Sequence, residues 1–459
     1  MNTISDHPRK KAGIGRLLLI VASLLAVAVA LYFVYMVALA PGATDFAGGR
    51  HVPMSSYPGR NPSGVPAELE NASLVERGEY LTRAADCAAC HTAEGGEPFA
   101  GGRAFVLPFG TLYSTNITPD RDTGIGADSD ADFRNALRKG IGRHGQRLYP
   151  AMPFASYTYM TDADAAAIQA YLFSLKPVSA RAPASTLKFP YDQRWLMGIW
   201  AALFNPDKRF EPRPERSPEW NRGAYLAEAM AHCGDCHTPR NLMQALDNRD
   251  KFAGTVQAGW RAYNITADAS SGVGAWSETD LAHYLMLGHA DGRGTAAGPM
   301  GEAVDLSLRH LTPGDIGALV AYLRTVPSIS SPDLPVPKAQ PAPATYAQGD
   351  ADTSHARGKA IYAGACAGCH DWSGVSPGVP AATLTGSRAV NDPSATNVAQ
   401  VILTGAHRQS VGAGDAMPAF GATYSDAEVA SLANYVTARF GAEPSALTAQ
   451  KIAELRAQD

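Results

Sequence analysis

The hydrophobic pattern divides the chain into one long apolar run and a repeated amphipathic remainder. Leu17–Ala40 is 24 residues without a charge, enough to cross the ~30 Å hydrocarbon core of a bilayer as a helix. Arg9, Lys10, Lys11 and Arg16 precede it. Residues 1–16 are therefore expected to stay in the cytoplasm, with everything beyond the run outside. Ala38-Leu39-Ala40 resembles the small-residue site of a cleaved signal peptide. Against cleavage, Pro41 would follow the cut, and the run exceeds an ordinary h-region of about 7–15 residues. A retained, single-pass anchor over 17–40 is the expectation.

Beyond it, three sets of helix signals recur. Ser73-Leu-Val-Glu76 is a capping box, and Ser217-Pro218 sets an N-cap before a first-turn proline. The pairs Arg77-Gly78, Arg222-Gly223 and Arg357-Gly358 stand, counted from the Arg, nine to eleven residues before a cysteine that closes each helix. A mid-helix Gly costs ~1 kcal/mol against Ala, so three at matching places predict a close helix crossing. Second helices are predicted after Thr161-x-x-Asp164, Thr312-Pro313-x-Asp315 and Ser425-x-x-Glu428. A tyrosine follows each cap by ten residues: Tyr171, Tyr322 and Tyr435. The glycine of the first helix is expected to admit this aromatic where the two helices cross. Helices thus account for the core of every repeat, and the fold class is all-α.

All six cysteines fall in three copies of one pattern: Cys87-Ala-Ala-Cys90-His91, Cys233-Gly-Asp-Cys236-His237 and Cys366-Ala-Gly-Cys369-His370. C-x-x-C-H is the attachment signature of c-type haem, two thiols for the porphyrin vinyls and a proximal His for the iron. Structural zinc would need a fourth ligand. Redox dithiols would need a βαβ pattern, and disulfides would leave the histidines unexplained. Three covalently bound haem c groups are expected. A sixth iron ligand is expected between the helices of each repeat: Met152 in Ala-Met-Pro-Phe, Met300 in Gly-Pro-Met-Gly, Met417 in Ala-Met-Pro-Ala. They follow their histidines by 61, 63 and 47 residues. A thioether favours Fe(II) and raises the potential. His144, His289 and His407 are rivals for that position, or histidines of the surface and of the surroundings of the ligands. Asn116-Ile-Thr118 and Asn264-Ile-Thr266 are open between propionate contacts and simple turns.

The remaining composition narrows the function class. A net charge of −4, without a basic stripe, argues against nucleic acid. Charged residues are only 18%, below the ~25% of soluble proteins. Six prolines between Pro327 and Pro343 predict an extended spacer. Trp195–Phe204 is an uncharged aromatic run too short to span a membrane. It fits an interfacial or partner-docking helix as well as packing between repeats. The divisions expected are a 41–70 linker, haem units at 71–180, 217–328 and 351–442, linkers at 181–216 and 329–350, and a tail at 443–459.

The motifs, the Met loops, Leu148-Tyr-Pro-Ala-Met-Pro-Phe154, Glu219-Trp-Asn-Arg-Gly-Ala-Tyr225 and His232-Cys-Gly-Asp-Cys-His-Thr-Pro-Arg-Asn241 carry a further likeness. Over about residues 70–442 the chain resembles the tri-haem cytochrome c subunit of bacterial membrane-bound dehydrogenases. The resemblance implies three tandem class I cytochrome c domains behind the N-terminal transmembrane helix. It implies a non-catalytic electron-transfer subunit in the bacterial inner membrane, with its haem domains in the periplasm. Its partners would be a catalytic dehydrogenase subunit (molybdopterin-, PQQ- or flavin-dependent), an iron–sulfur small subunit in some complexes, and ubiquinone. The N-terminal anchor is more similar to subunits serving aldehyde dehydrogenases of the molybdenum-hydroxylase type. One departure is Ala127-Asp128, where many relatives carry a counterpart of Trp276. Two rival readings are a cytochrome subunit of a terminal oxidase and a self-sufficient multihaem peroxidase, the latter needing an open iron position.

Overall fold

The computed structural model describes residues 9–35, 41–342, 355–406 and 416–458, with side chains from residue 15 onward. Helix α1 (Arg9–Val34) opens on the basic residues Arg9, Lys10, Lys11 and Arg16 and is uncharged from Leu17 on. It contains one 20-residue span, Gly15–Val34, long and apolar enough to cross a membrane and unburied throughout.

Three crossing helix pairs follow. In the first repeat, α2 (Leu74–Ala84) is opened by the Ser73–Glu76 capping box and runs to the short α3 (Cys87–His91). Hairpin β1 (Ala104–Leu107) and β2 (Gly110–Tyr113) comes next, then α4 (Asp130–Lys139), α5 (Phe154–Tyr157) and α6 (Asp162–Ser174). The linker folds into α7 (Leu196–Phe204). The second repeat opens with α8 (Pro218–Tyr225), capped by Ser217 with Pro at its start, and α9 (Gly234–His237). Hairpin β3 (Thr255–Gln257) and β4 (Trp260–Ala262) leads to α10 (Glu278–Leu287). Two-residue strands β5 (His289–Ala290) and β6 (Gly294–Thr295) precede α11 (Gly298–Leu306) and α12 (Pro313–Leu323). The third repeat holds α13 (Ala356–Ala365), α14 (Ala367–His370), α15 (Thr396–Thr404) and α16 (Asp426–Phe440). Tail helix α17 (Ala449–Arg456) packs its Ile452 and Leu455 into the same core. The all-α expectation needs one correction: small antiparallel hairpins sit in the loops of the first two repeats, where turn glycines fold the chain back on itself.

The glycine crossing is present in each pair. A Cβ on Gly78 would lie 1.9 Å from the Ala167 carbonyl oxygen, on Gly223 1.8 Å from that of Ala318, and on Gly358 2.1 Å from that of Ser431. In each case the Cβ of the tyrosine is also within 2.8 Å: Tyr171, Tyr322 or Tyr435. Only Gly lets the backbones approach this far. In the first two repeats the C-x-x-C-H segment does not close the first helix as expected but forms its own short turn, because Asp86 (φ 52°) and His232 (φ 37°) break direction before it; in the third, Cys366 closes α13 as expected. Between glycine and cysteine the second repeat also has one residue more than the first and two more than the third. Leu226–Met230 absorbs it as a π-helical turn, closed by Ala231 N–H to the Leu226 carbonyl at 2.8 Å.

One hydrophobic core runs through both the first and second repeats, from Leu81, Ile168 and Leu172 to Leu226, Ile316 and Leu319. A separate core, with Tyr362, Ala399, Val429 and Phe440, fills the third. The 41–70 segment is no free linker. Arg222 donates to the Pro62 and Gly64 carbonyls at 2.8 and 2.9 Å, and Phe46 packs on Tyr322 at 5.8 Å between ring centroids. The proline-rich strap has no helix or strand up to residue 342 and makes one turn, closed by Leu334 N–H to the Ser331 carbonyl at 3.0 Å. It is fastened to the third repeat by Lys338 N–H to Asn391 (2.8 Å) and Ala342 N–H to the Ser373 carbonyl (2.9 Å).

Candidate haem-binding sites

Each C-x-x-C-H turn presents its histidine in the same way. His91 Nδ1 bonds the Thr115 carbonyl at 2.7 Å, His237 Nδ1 that of Tyr263 at 2.6 Å, and His370 Nδ1 that of Ala382 at 2.5 Å. A carbonyl can only accept, so Nδ1 carries the proton and Nε2 keeps its lone pair. Burial pushes all three imidazoles below their usual pKa, toward the neutral form that ligates metal. The bond to Nδ1 fixes the ring, as outer-shell partners of metal-bound histidines do.

All six cysteines are unpaired. Burial pushes Cys87, Cys90 and Cys233 up to about 12, and Cys236 and Cys366 up to about 11. Redox dithiols work through a depressed thiol pKa, so these run the other way. Among the described residues no group of three or more His, Cys, Asp and Glu converges on one point as a metal cage would require. Two unpaired thiols beside an oriented imidazole with a free Nε2 fit covalent haem.

The three methionines are half-buried, two against the core shared by the first and second repeats and one against that of the third. Met152 lies in the cluster holding Cys87, Phe99 and Ile117. Met300 lies in the same continuous core with Cys233 and Trp276. Met417 packs on the third core beside Cys366 and Trp372. Their backbones differ more than the shared spacing suggests. Met152 sits in a turn, its N–H on the Tyr149 carbonyl at 3.1 Å. Met417 is paired with Ala406 in an antiparallel bridge. Met300 is not in a loop but in the first turn of α11, with Pro299 ahead of it, because proline at a helix start costs no hydrogen bond.

Two of the three rival histidines are described, and both are otherwise engaged. His289 uses both ring nitrogens, Nδ1 with Thr295 (2.9 Å) and Nε2 with Asp291 (3.1 Å). His144 is exposed and meets Arg143 at 3.0 Å. His407 lies outside the described residues. The Asn-Ile-Thr pairs are turns. Asn116 Oδ1 accepts from Thr118 N–H and hydroxyl at 2.8 and 2.7 Å, and its Nδ2 donates to the Val178 carbonyl at 2.7 Å. Asn264 repeats this with Thr266 and the Ile329 carbonyl. Where Trp276 is capped by Arg293 at 5.4 Å, the first repeat has Arg143 on Asp128 at 3.3 Å.

The first two motifs lie side by side. Tyr157, whose hydroxyl donates to the Ala85 carbonyl at 2.6 Å, stacks edge-on against His232 at 5.4 Å. Ser156 donates to Asp235 at 2.7 Å. The third motif joins the second from the other side. Thr295 donates to the Ala381 carbonyl at 2.8 Å, next to the residue that holds His370. Tyr263, whose carbonyl holds His237, reaches Asp392 with its hydroxyl at 3.2 Å. No sequence signal marks these bridging residues; only pairing across repeats reveals them.

Proteins similar to this chain are cytochromes c and cytochrome c subunits. The cytochrome c family model matches residues 75–176, and the model for cytochrome c oxidase, cbb3-type, subunit III matches residues 353–436. The gluconate 2-dehydrogenase cytochrome c subunit of Pantoea cypripedii is 40% identical over 403 residues, 84% of this chain and 90% of that protein. The fructose dehydrogenase cytochrome subunit of Gluconobacter japonicus is 38% identical over 431 residues, 87% of each. A nicotinate dehydrogenase subunit of Pseudomonas putida is 41% identical over 393 residues, which are 84% of this chain but only 32% of that longer protein.

Proposed function

This chain belongs to the cytochrome c subunits of membrane-bound dehydrogenases, and from that premise we propose that it carries three covalent haem c groups and relays electrons from a catalytic subunit to ubiquinone. Cys87 and Cys90, Cys233 and Cys236, and Cys366 and Cys369 are the attachment pairs. His91, His237 and His370 would be the proximal iron ligands, and Met152, Met300 and Met417 would supply the sixth ligand. Haem, when bound, supplies the one-electron chemistry. The chain's own part is to orient three imidazoles, bury the sites and hold the three units adjacent. Residues 71–180, 217–328 and 351–442 are those units.

The observation that carries this reading is the thrice-repeated Nδ1-to-carbonyl bond, which leaves each Nε2 available. The anchor α1 would hold the units at the periplasmic face of the bacterial inner membrane as a single-pass protein. The partner's cofactor (molybdopterin, PQQ or flavin) and an iron–sulfur small subunit belong to the same proposal, with aldehyde or alcohol oxidation as the supplying reaction. The oxidase-type match covers only residues 353–436, whereas dehydrogenase subunits align over 84–87% of the chain, so an oxidase role has less support.

Haem quantitation against protein tests the count, with three per chain expected and two refuting it. Replacing Met152, Met300 or Met417 by Ala should each remove one Met–haem signal and lower one potential. A replacement that leaves all spectra unchanged withdraws that ligand. Affinity purification from membranes should recover a dehydrogenase large subunit; recovery of oxidase subunits alone would overturn the functional reading.

A further inference from the structure

Helix α7 is apolar on both faces. Its inner face, Trp200 and Ala201, packs on Phe154 and Ala245, with Trp200 Nε1 donating to the Met243 carbonyl at 2.8 Å. Its outer face carries Trp195 (64% exposed), Ile199 (50%) and Ala202, spaced as one helical stripe. Phe189 and Tyr191, just upstream, are exposed too. Packing between repeats explains the inner face and leaves the outer one unexplained.

What lies beside that outer stripe is the end of α1. Phe33 shares with Trp195, Ile199 and Leu203 an open groove of about 660 Å³, edged by Arg147 and Arg194. Arg249 holds the same end of α1 to the body, donating to the Tyr35 hydroxyl at 2.8 Å. The span Gly15–Val34 has 20 residues, about 30 Å of helix, which is the thickness of the hydrocarbon core. Phe33 therefore stands at the outer boundary of that core, and so does the stripe that lines the same groove. Exposed Trp and Tyr with a rim of Arg are what the headgroup region accepts.

We propose that α7 is a second membrane contact, lying flat in the headgroup region of an anionic phospholipid bilayer where α1 leaves it. This rests on the reading of α1 as a retained anchor. Trp195 and Ile199 enter the interface, and Arg147 and Arg194 meet lipid phosphates. The contact fixes the orientation of the first two repeats relative to the membrane, which a single anchor does not.

The test is photolabelling of the intact complex in phosphatidylethanolamine–phosphatidylglycerol vesicles by an acyl-chain diazirine phospholipid, with labelled peptides mapped by mass spectrometry. Label is expected both in 15–34 and in 189–204. Ile199→Glu, on the exposed face, is expected to cut the 189–204 label about tenfold and leave the 15–34 label unchanged. Label in 15–34 alone overturns the proposal and leaves the anchor reading standing. Label in 189–204 alone overturns the anchor reading and, with it, the proposal of a second contact beside α1. Label in neither overturns both. If 189–204 is labelled in the free full-length cytochrome but not in the complex, the stripe belongs to the catalytic subunit and the proposal fails.

Discussion

The second helices of the three repeats begin alike and use their third residue differently. In α6 and α12 the cap threonine accepts from the N–H of Asp164 or Asp315, at 3.2 and 3.3 Å. The carboxylates themselves reach across to the other repeat. Asp164 takes the Tyr225 hydroxyl at 2.5 Å, and Asp315 takes that of Tyr80 at 2.6 Å. The exchange is reciprocal, and the first two repeats share one core. In α16 the equivalent Glu428 stays at home, accepting from Ser425 N–H and hydroxyl at 3.0 and 2.8 Å and pairing with Arg357. The third repeat meets the second instead through a polar clamp. Arg261 pairs with the buried Asp392 at 3.2 Å and exchanges backbone bonds with Asn397 at 2.8 and 2.9 Å. One local motif thus serves either assembly or a helix end, depending on whether a tyrosine from another repeat arrives to claim the carboxylate.

The largest way to break this contrast is Asp315→Ala. Asp315 holds Arg222 through two bonds, at 2.8 and 2.6 Å, besides Tyr80. Removing one partner of a buried pair costs about 3–5 kcal/mol, because the other charge stays buried and unpaired. Hydrogen exchange resolved by peptide should show α2, α6, α8 and α12 losing protection together, with α13 and α16 unaffected. Joint loss in all three repeats would mean that the third is not energetically separate.

Gly223→Ala and Gly358→Ala should cost less, about 1–3 kcal/mol from overpacking, yet separate the repeats again. The first should lower protection in both first and second repeats through their common core, the second in the third repeat alone. Asp392→Asn keeps the shape of the clamp but removes its charge, leaving Arg261 with the exposed Asp333. A loss of about 1–3 kcal/mol is expected, read as greater mobility of the third repeat in scattering, with repeats one and two unchanged.

The parts of this architecture that are legible in the sequence are local or steric. Ser73, Ser217, Thr161, Thr312 and Ser425 act on backbone within one turn, so their spacing identifies them. The Gly78–Tyr171 type of crossing is legible because a missing Cβ and a fixed offset recur three times. The carboxylates of Asp164 and Asp315 are readable only as parts of caps; their real partners lie 61 and 235 residues away. Met300 reads as a loop residue and stands on a helix, because proline signals a helix start and a loop equally well. The π turn of the second repeat follows from one surplus residue, but its location among Leu226–Met230 is set by packing. The apolar run at 195–204 reads equally as core and as surface, and it is both.

The smallest effect expected is the loss of one contribution to the pH dependence of the third repeat. Glu428 has its carboxyl lowered to about 2, first by the Arg357 hydrogen bond and then by the Ser425 backbone N–H. A carboxylate depressed in the folded state stabilises above its unfolded pKa, which is ~4.3 for Glu. That stabilisation is lost as pH falls from there toward 2. Glu76, in the capping box of the first repeat, is also lowered, by Ser73 alone. The site is exposed, so salt screens its ion pair. Glu428→Gln should therefore flatten the acid limb for α16 exchange between pH about 4.5 and 2 and reduce its salt dependence, while α6 and α12 keep theirs. An acid limb unchanged in the variant would assign the pH dependence to another carboxylate. It would also remove the distinction between a cap closed locally and one spent on assembly.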